Sequence, residues 1–485
     1  MKQIIFIFCI GFILGVTAIE YVSHSYASIY FVGLLFICFL SVKYSSIRMN
    51  TVFVWLSAIL CLGVAVGAVR TLYAYESLPQ YMFHEETSVQ TFDAIIVSDI
   101  DSRDLYSTVL IRPETENKDI VVPLIRIRVP RINQYEYGDM LRVTGTLRLI
   151  QVKDKNFLSF KEKLTRQGIY YEMTYPTIEK VGKKYESQLT RASIKVKQYV
   201  QNVFNTYISE PASGLASGLV LGEKRGLSQE WYKTFQTVGM THVIVLSGYN
   251  VALIFAWALI LFSWASFRVR YIVALMCVGA LVSVSGAEAP AVRAGILITI
   301  LAFAKMNGRT TDIGYFLMLA IVGMLLYNPF YLLFDLSFQL SILATYGLVY
   351  GAPIIETYFT KIPNPFRDAA RDTIAAQLAV LPLQLYVFGT LSYVSIFVNT
   401  LLLPLVPIIM IGSTITFFIS HLSVWLGHVV GSATTFIADI FLDSVAWAAT
   451  LAPLASMRVT LFICVSMYLL FFWIIQAKNI YEKET

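Results

Sequence analysis

The chain has 485 residues, of which 57% are hydrophobic and 14% are charged, and its formal net charge is +6. A soluble globular protein would not combine so apolar a composition with several charge-free runs of 15 or more residues, so we expect a polytopic membrane protein. The modest positive charge does not by itself indicate nucleic acid, and five scattered cysteines without a CxxC pair argue against a disulfide framework or a zinc cluster.

The first 70 residues predict N-terminal transmembrane helices. The apolar runs lie at about residues 3–19, 29–42 and 51–69. Lys2, Lys43 and Arg48 flank the first two runs, and the positive-inside rule places them in the cytoplasm. Three crossings then deliver the next segment to the outer side of the membrane.

Residues 87–184 form a charged insertion among the spans. Apolar and charged residues alternate at 125–129 and again at 141–149, which is typical of half-buried strands. Turn residues divide the insertion into five or six short strands, as in a small barrel or OB-type fold. We therefore expect an OB-like β-barrel domain on the extracytoplasmic side.

The connector at residues 186–208 predicts an amphipathic helix. Its apolar stripe comprises Leu189, Ala192, Val196, Val200, Val203 and Tyr207, and the basic residues Arg191, Lys195 and Lys197 lie off it. Two interpretations are open: a helix on the membrane surface, or a helix packed on the barrel.

Residues 211–477 return to apolar character and predict about nine further crossings, which gives about twelve transmembrane helices. The crossings lie at roughly 242–265, 271–286, 290–304, 313–327, 330–351, 374–388, 391–418, 424–450 and 459–476. Basic residues fall on alternate loops, which places those loops and the C-terminus in the cytoplasm. Gly214, Gly218 and Gly222 form a double GxxxG, which predicts close helix packing.

Polar residues within these apolar runs are costly and point to function. The first group is His242, Ser247, Gly248 and Asn250. These four residues either line a pore or serve close packing, and an intramembrane enzyme that uses Ser247 and His242 is a further alternative.

The second group lies in residues 283–293, where Gly286 and Pro290 interrupt an apolar run. A broken helix at membrane depth lines a cavity. The alternative is an ordinary turn with Glu288 at the interface. Arg293 requires a partner, an aqueous path or a phosphate.

The remaining polar groups are Asp335, Gln339 and Ser341; Gln377, Gln384 and Asn399; and the acidic pair Asp439 and Asp443. Residues four apart share a helix face. The amides either hold helices together or line a path. The acidic pair either binds a cation or proton, or faces the outer water layer.

Catalytic signatures such as HExxH, GxSxG and GxxxxGK[ST] do not occur, and the five histidines are scattered. We therefore expect no enzymatic activity, no cofactor and no metal site in this chain.

Five motifs in order resemble the ComEC family of competence proteins. They are Gly218-Leu-Val-Leu-Gly222 with Gly226-Leu-Ser228; Gly239 to Gly248; Ser285 to Ala294; Asp335 to Ser341; and Gln377 to Pro382 with Phe388, Gly389, Asn399 and Pro404. The resemblance implies transport of single-stranded DNA across the cytoplasmic membrane during natural transformation. It also implies a cytoplasmic helicase-like ATPase and an extracytoplasmic DNA receptor as partners.

Two departures from the family pattern stand out. Asn250 occupies a position where relatives usually carry His, so hydrogen bonding survives there but proton transfer does not. Many members carry a C-terminal metallo-β-lactamase-like domain, which we do not expect here, so the nuclease is either absent or supplied by another protein.

DNA transport requires positive charge for phosphates and tolerant surfaces for bases. The expected DNA-binding residues are Arg126, Arg128, Arg142, Arg148, Lys153 and Lys155. The translocation candidates are His242, Ser247, Gly248, Asn250, Glu288, Arg293, Asp335, Gln339, Ser341, Gln377 and Asn399. An ion-coupled small-solute transporter that uses Asp335, Asp439 and Asp443 is the rival hypothesis.

Overall fold

The computed structural model describes two compact units, formed by residues 1–100, 108–184 and 300–339, and by residues 101–107, 185–299 and 340–485. Within these limits the described residues are 2–21, 51–78, 89–102, 106–115, 122–130, 135–150, 164, 167–185, 187–223, 226–244, 246–287, 289–308, 313–356, 358–359, 363, 366–451, 455–456 and 459–484. Lys153, Lys155, Glu288 and the predicted span 29–42 lie outside them.

Helices form most of the described chain. They are α1 Lys2–Tyr21, α2 Thr51–Glu76, α3 Gln188–Tyr207, α4 Ala212–Leu221, α5 Gln229–Thr237, α6 Gly248–Leu261, α7 Phe267–Val284, α8 Ala289–Met306, α9 Ile313–Tyr327, α10 Tyr331–Phe334, α11 Leu336–Tyr346, α12 Ala352–Glu356, α13 Phe366–Val387, α14 Ser395–Leu402, α15 Leu405–Ser420, α16 Val424–Leu451 and α17 Leu461–Glu484. A π-helical turn, Gly347–Gly351, joins α11 to α12.

The first unit contains the tightly packed pair α1 and α2. A Cβ added to Gly11 or Gly15 of α1 would lie 2.2 or 2.1 Å from the Leu60 or Val64 carbonyl oxygen of α2. Gly63 and Gly67 of α2 meet the backbone of α1 equally closely. Two GxxxG motifs therefore face each other, an arrangement that brings membrane helices into backbone contact.

Arg70 of α2 ties this pair to a distant helix of the same unit. Its Nε and Nη2 each donate a 2.6 Å hydrogen bond, to the carbonyl oxygens of Leu326 and Tyr327. These residues end α9, where carbonyl groups lack partners within the helix and the helix dipole is negative. The guanidinium of Arg70 therefore donates hydrogen bonds to carbonyl groups that would otherwise lack partners at the end of α9.

The inserted segment is a β-sheet in the first unit. Its strands, apart from the short β2 at Asp101–Ser102, are β1 Val89–Ile96, β3 Tyr106–Pro113, β4 Leu124–Pro130, β5 Asp139–Thr146, β6 Arg148–Leu149, β7 Ile169–Thr174 and β8 Thr177–Lys183. They pair in the order β6-β7-β4-β3-β1-β5-β8, with β4 and β7 parallel. The described strands form an open path, so closure into an OB-like barrel is not confirmed. β5 and β6 lie far apart in this pairing order, but only Leu147 separates them along the chain. The sheet must therefore curl strongly to bring the two strands together.

The predicted alternation of apolar and charged residues is confirmed in the sheet. Ile125, Ile127 and Val129 are at most 1% exposed, and Leu141 and Val143 are fully buried. Their arginine neighbours point away from this core. A single apolar layer therefore lies on one face of β4 and β5.

The second unit has its core among α3, α4, α5, α14, α15 and α16. Its largest fully buried side chains are Phe204, Phe235 and Phe441. The short strands β9 Thr390–Leu391 and β10 Ala455–Ser456 pair beside this core.

A polytopic membrane protein fits the described helices, but the count of twelve is not confirmed. By length and composition, four described segments can cross a membrane: Trp55–Glu76, Phe267–Val284, Leu336–Glu356 and Val424–Leu451. A fifth crossing results if α14 and α15, bent by 44° at their junction, act as one span. Several predicted crossings instead coincide with apolar helices of 10 to 17 residues, namely Gln3–Ile19, Gly248–Leu261, Ile313–Tyr327 and Leu461–Ile475.

Candidate functional site

The connector helix α3 folds back on α4 as an antiparallel hairpin. Lys197 Nζ lies 2.7 Å from Glu223 Oε2, and the turn at residues 208–211 lies midway between the two residues in sequence. The side chains of this ion pair are 11% and 5% exposed. One face of α3 therefore packs against α4 within the second unit.

The buried face of α3 differs from the predicted stripe. Ser193, Lys197 and Phe204 are buried, whereas Leu189 and Val196, both assigned to the apolar stripe, are 68% and 48% exposed. The prediction was wrong by about one residue of helix rotation because it assumed that a lysine must face water. Glu223 supplies the partner that lets Lys197 face inward.

The glycines of α4 contact irregular backbone rather than a second long helix. A Cβ on Gly214 would lie 1.9 Å from the Gly226 oxygen, and one on Gly218 would lie 2.8 Å from the Ile244 oxygen. Gly222 ends α4 in the left-handed region with φ +71°, and its N–H bonds to Gly218 O at 3.1 Å. The double GxxxG thus lets the segments on either side of α5 approach α4.

Asn250 joins the first turn of α6 to the last turn of α4. Its Nδ2 donates to Leu219 O at 3.1 Å, and its backbone N–H donates to Ser247 Oγ at 3.4 Å. Ser247 is the N-cap of α6, and Asn250 is 2% exposed. Asn250 is therefore an amide that satisfies a helix-terminal carbonyl, which agrees with the hydrogen-bonding role expected of it.

Ser247 and His242 lie outside a regular span. Ser247 Oγ bonds to the Asn250 side chain at 3.2 Å, while the ring of His242 bonds to the Gly239 backbone. His242 and Gly248 are exposed on the protein surface. Because Ser247 and His242 each have a different partner, the geometry favours packing and capping over a catalytic dyad.

The segment 283–293 is a turn between two helices. Gly286 and Ala287 have φ angles of +77° and +53°, and α8 begins two residues later. Arg293 lies in the first turns of α8 and is 7% exposed. A Cβ on Gly248 would lie 3.5 Å from the Cβ of Ala294, so the starts of α6 and α8 are adjacent.

Asp335 and Gln339 stabilise a break between α10 and α11. Asp335 Oδ1 accepts the Ser337 N–H at 2.9 Å, and Gln339 Nε2 donates to the Leu332 and Leu333 oxygens at 2.9 and 3.1 Å. Asp335 therefore precedes α11 rather than sharing a helix face with Gln339. Ser341 is a half-buried residue of α11.

The amide candidates lie on α13 and α14. Gln377 Nε2 donates to Gln384 Oε1 at 3.3 Å, bridging the part of α13 that contains Pro382. Asn399 is 3% exposed on α14, and its backbone oxygen accepts the Leu403 N–H at the bend into α15. The Gln377–Gln384 hydrogen bond therefore spans the irregular point at Pro382, whereas in the described part of the chain the buried side-chain oxygen of Asn399 accepts no hydrogen bond.

Comparison with known proteins identifies this helical region. A family model described as Competence protein matches residues 219–479, which is more than half of the chain. The chain belongs to this family. The match begins in α4 and includes the Asn250 junction and the breaks beside Asp335 and Asn399.

The curated relatives are distant and longer. ComE operon protein 3 of Bacillus subtilis (strain 168) is 22% identical over 50% of this chain and 31% of its own length. Competence protein ComA of Neisseria gonorrhoeae is 26% identical over 50% of this chain and 34% of its own length. Uncharacterized protein YcaI of Escherichia coli (strain K12) is 23% identical over 47% of this chain and 31% of its own length. This competence-family chain thus aligns with about a third of each relative, and no solved structure matches it.

The sheet of this competence protein, outside the matched region, carries the arginines predicted to bind DNA. Arg142 donates to both carboxylate oxygens of Asp93, at 2.9 and 3.0 Å, and Arg128 lies 2.8 Å from Glu172. The hydrogen bonds from Arg142 hold the pKa of Asp93 below its usual value. Arg148 is exposed and Arg126 half-buried. Ion pairing therefore makes Arg142 and Arg128 weaker phosphate ligands than the alternation suggested.

Sequence reasoning missed the Lys197–Glu223 pair, the Arg70 contact and the facing glycines of α1 and α2. Only the glycines had a visible pattern, because Gly11, Gly15, Gly63 and Gly67 form two GxxxG motifs. In the described part of the chain, no group of three or more His, Cys, Asp or Glu side chains could hold a metal ion.

Proposed function

We propose that this chain carries single-stranded DNA across the cytoplasmic membrane during transformation, and that it does so without catalytic chemistry of its own. The family match supports a role in competence. The observation that carries the proposal is the set of short, interrupted segments between residues 188 and 261. Irregular backbone at membrane depth is tolerated where it is buried in protein or lines a water-filled path.

A path for DNA would run beside these interrupted segments. The exposed His242 and Gly248, beside the start of α6, offer polar groups and a helix N-terminus, which suit phosphate. Buried Arg293 lies on the neighbouring helix α8 and adds positive charge. We assign the driving energy to a cytoplasmic helicase-like ATPase and DNA delivery to an outer receptor.

Gene deletion with complementation tests the proposal. In a competent host that lacks the gene, labelled DNA should remain outside the cytoplasm, and the full chain should restore its entry. Unchanged entry and transformation in the deletion strain would refute the proposal. Restored uptake of a small solute without DNA entry would favour the ion-coupled transporter.

Charge reversal at Arg148 tests the contribution of the sheet. Arg148→Glu should lower DNA capture several-fold and flatten its dependence on salt, because one phosphate contact is lost. Lys195→Glu, an equal charge reversal at an exposed position of α3, is the matched control. Equal effects of the two variants would remove Arg148 from the DNA-binding surface.

A further inference from the structure

The charges of the inserted sheet divide into a neutral half and a basic half. Strands β1, β5 and β8 are neighbours in the pairing order and carry as many acidic as basic residues. Each basic side chain of these strands has an acidic partner: Arg142 pairs with Asp93, Lys180 with Asp139, and Lys183 with Glu136. An anionic ligand would therefore meet neutralised charge on this half of the sheet.

The basic half consists of β4, β7 and β6, with β7 between the other two strands. These strands carry three arginines and one glutamate, a net charge of +2. Glu172 of β7 lies opposite Arg126 of β4 on one side and opposite Arg148 of β6 on the other. Paired residues point to the same face of a sheet, and for Arg126 this is the face opposite the buried Ile125 and Ile127. All three arginines therefore share one face with a single carboxylate.

This basic face is accessible to a ligand, and Glu172 already occupies one of its arginines. Arg148 is exposed, and the side chain of Arg128 is 37% exposed. The Nε of Arg128 lies 2.8 Å from Glu172 Oε1. Guanidinium groups bind carboxylate and phosphate with the same fork of N–H donors. Glu172 therefore holds the position on Arg128 that a phosphate group would take.

An exposed aromatic ring adjoins the same arginine. Tyr175 directly follows β7, is 57% exposed, and donates its backbone N–H to Arg128 O at 2.8 Å. Its φ angle is +51°, which a bulky residue rarely adopts, least of all before a proline such as Pro176. Strained backbone of this kind clusters at binding sites. A ring beside positive charge is the surface on which unpaired bases stack.

We propose that the face formed by β4, β7 and β6 binds single-stranded DNA, an inference that rests on the proposed function. The arginines contact phosphate groups, and Tyr175 stacks on a base that a duplex would keep covered. Glu172 competes with phosphate for Arg128 and so weakens the contact. A transported strand must leave its binding site as readily as it enters, and an internal competitor provides that release.

Removal of the Glu172 charge tests the competition. In a titration of the purified full chain with a labelled single-stranded oligonucleotide, Glu172→Gln should bind several-fold more tightly than wild type. The slope of log affinity against log salt concentration should steepen by about 0.7, because Arg128 gains one phosphate in place of the carboxylate. Glu179→Gln removes an exposed charge from β8, in the neutral half, and should leave the slope unchanged. Weaker binding by a folded Glu172→Gln chain, or equal effects of the two variants, would overturn the inference.

Substitution of Tyr175 gives a second test that does not depend on the ion pair. Tyr175→Gly accepts the positive φ angle and removes the ring, so affinity for the single strand should fall about fivefold or more while duplex binding stays unchanged. Tyr175→Phe keeps the ring and should bind as wild type does. Equal loss for single strand and duplex, no loss, or absence of single-strand binding by the wild-type chain would overturn the inference. Unchanged DNA entry in the deletion strain would instead refute the proposed function, whatever the oligonucleotide shows.

Discussion

At the scale of single residues, the Lys197–Glu223 pair is the strongest departure from what apolar patterning suggests. Taking both charges out of water is costly, and their attraction with good geometry offsets that cost only while both partners remain. Loss of one partner leaves an uncompensated charge in the core of the second unit. The pair is therefore more important for the arrangement of the hairpin than for net stability.

We expect Lys197→Met alone to destabilise the chain by about 3–5 kcal/mol, because Glu223 is left buried without its cation. Adding Glu223→Leu should recover most of this loss. Thermal unfolding of the detergent-solubilised chain measures Lys197→Met, Glu223→Leu and the double variant, with the control Lys195→Met expected to stay within about 0.5 kcal/mol of wild type. Additive single and double effects would contradict a direct pair.

The Asp93–Arg142 pair predicts how acid affects the sheet. Because the pKa of Asp93 is lowered in the folded state, its contribution to stability is complete above the unfolded value of about 3.9 and is lost as pH falls through the folded value. The free energy of unfolding, measured from pH 6 down to pH 2, should decrease as this contribution is lost. Asp93→Asn should remove that part of the pH dependence, and an unchanged pH profile would show that the pair does not contribute.

Prediction at the level of single residues was correct where near neighbours in the sequence determine whether a side chain is buried. Ile125, Ile127 and Val129 are buried because period-two alternation fixes the face of a strand. Lys197 was misplaced because its partner lies 26 positions away across a hairpin turn, and helical spacing carries no information about such a partner. Asn250 had the correct chemistry, but its acceptor, Leu219 O, could be found only from the fold.

At the scale of elements, short segments replace several of the expected spans. Apolar length predicted a crossing at 242–265, but α6 starts only at Gly248 because Ser247 caps it. The glycines of α4 indicated close packing correctly. They did not show whether helix or loop backbone would be the neighbour, because a GxxxG motif defines a small surface and not its partner.

Two glycine-to-alanine substitutions distinguish the effect of close backbone contact on stability from the effect of helix propensity. Gly214→Ala should destabilise the second unit by about 1–3 kcal/mol, because the new methyl group meets backbone at Gly226 and cannot be accommodated by a rotamer change. Gly279→Ala in α7 has nothing within 4 Å and should be neutral or stabilising by up to about 1 kcal/mol. Thermal melts of both variants decide this, and similar shifts would contradict the close contact.

At the scale of the molecule, the contact between Tyr199 and His421 bears on the orientation of the second unit. The predicted order of crossings places the connector outside and, by alternation, the α15–α16 turn and the C-terminus inside. The hydrogen bond puts that turn beside α3, so the two placements conflict. If α16 and α17 each cross once, the C-terminus returns to the side of the turn.

Cysteine labelling checks this arrangement. In a cysteine-free chain, single cysteines at Leu189, Leu422 and Glu482 should react with a membrane-impermeant maleimide from one side, and Thr460→Cys from the other. Leu189, Leu422 and Thr460 are exposed, so accessibility does not limit the reaction. Labelling of Leu189→Cys and Leu422→Cys from opposite sides would show that α3 and the α15–α16 turn do not lie on the same side of the membrane.

The Arg70 contact has a consequence for biosynthesis. The guanidinium and the Leu326 carbonyl that it binds are 256 residues apart. At about 5–20 residues per second, α2 emerges from the ribosome roughly 10–50 s before α9 can accept its charge. During that interval the α1–α2 pair holds a cation at the end of an apolar helix without its final acceptors. Nascent chains truncated before residue 327 should therefore depend on the insertion machinery or lipid phosphate to shield Arg70, and release from that shield should coincide with synthesis of α9.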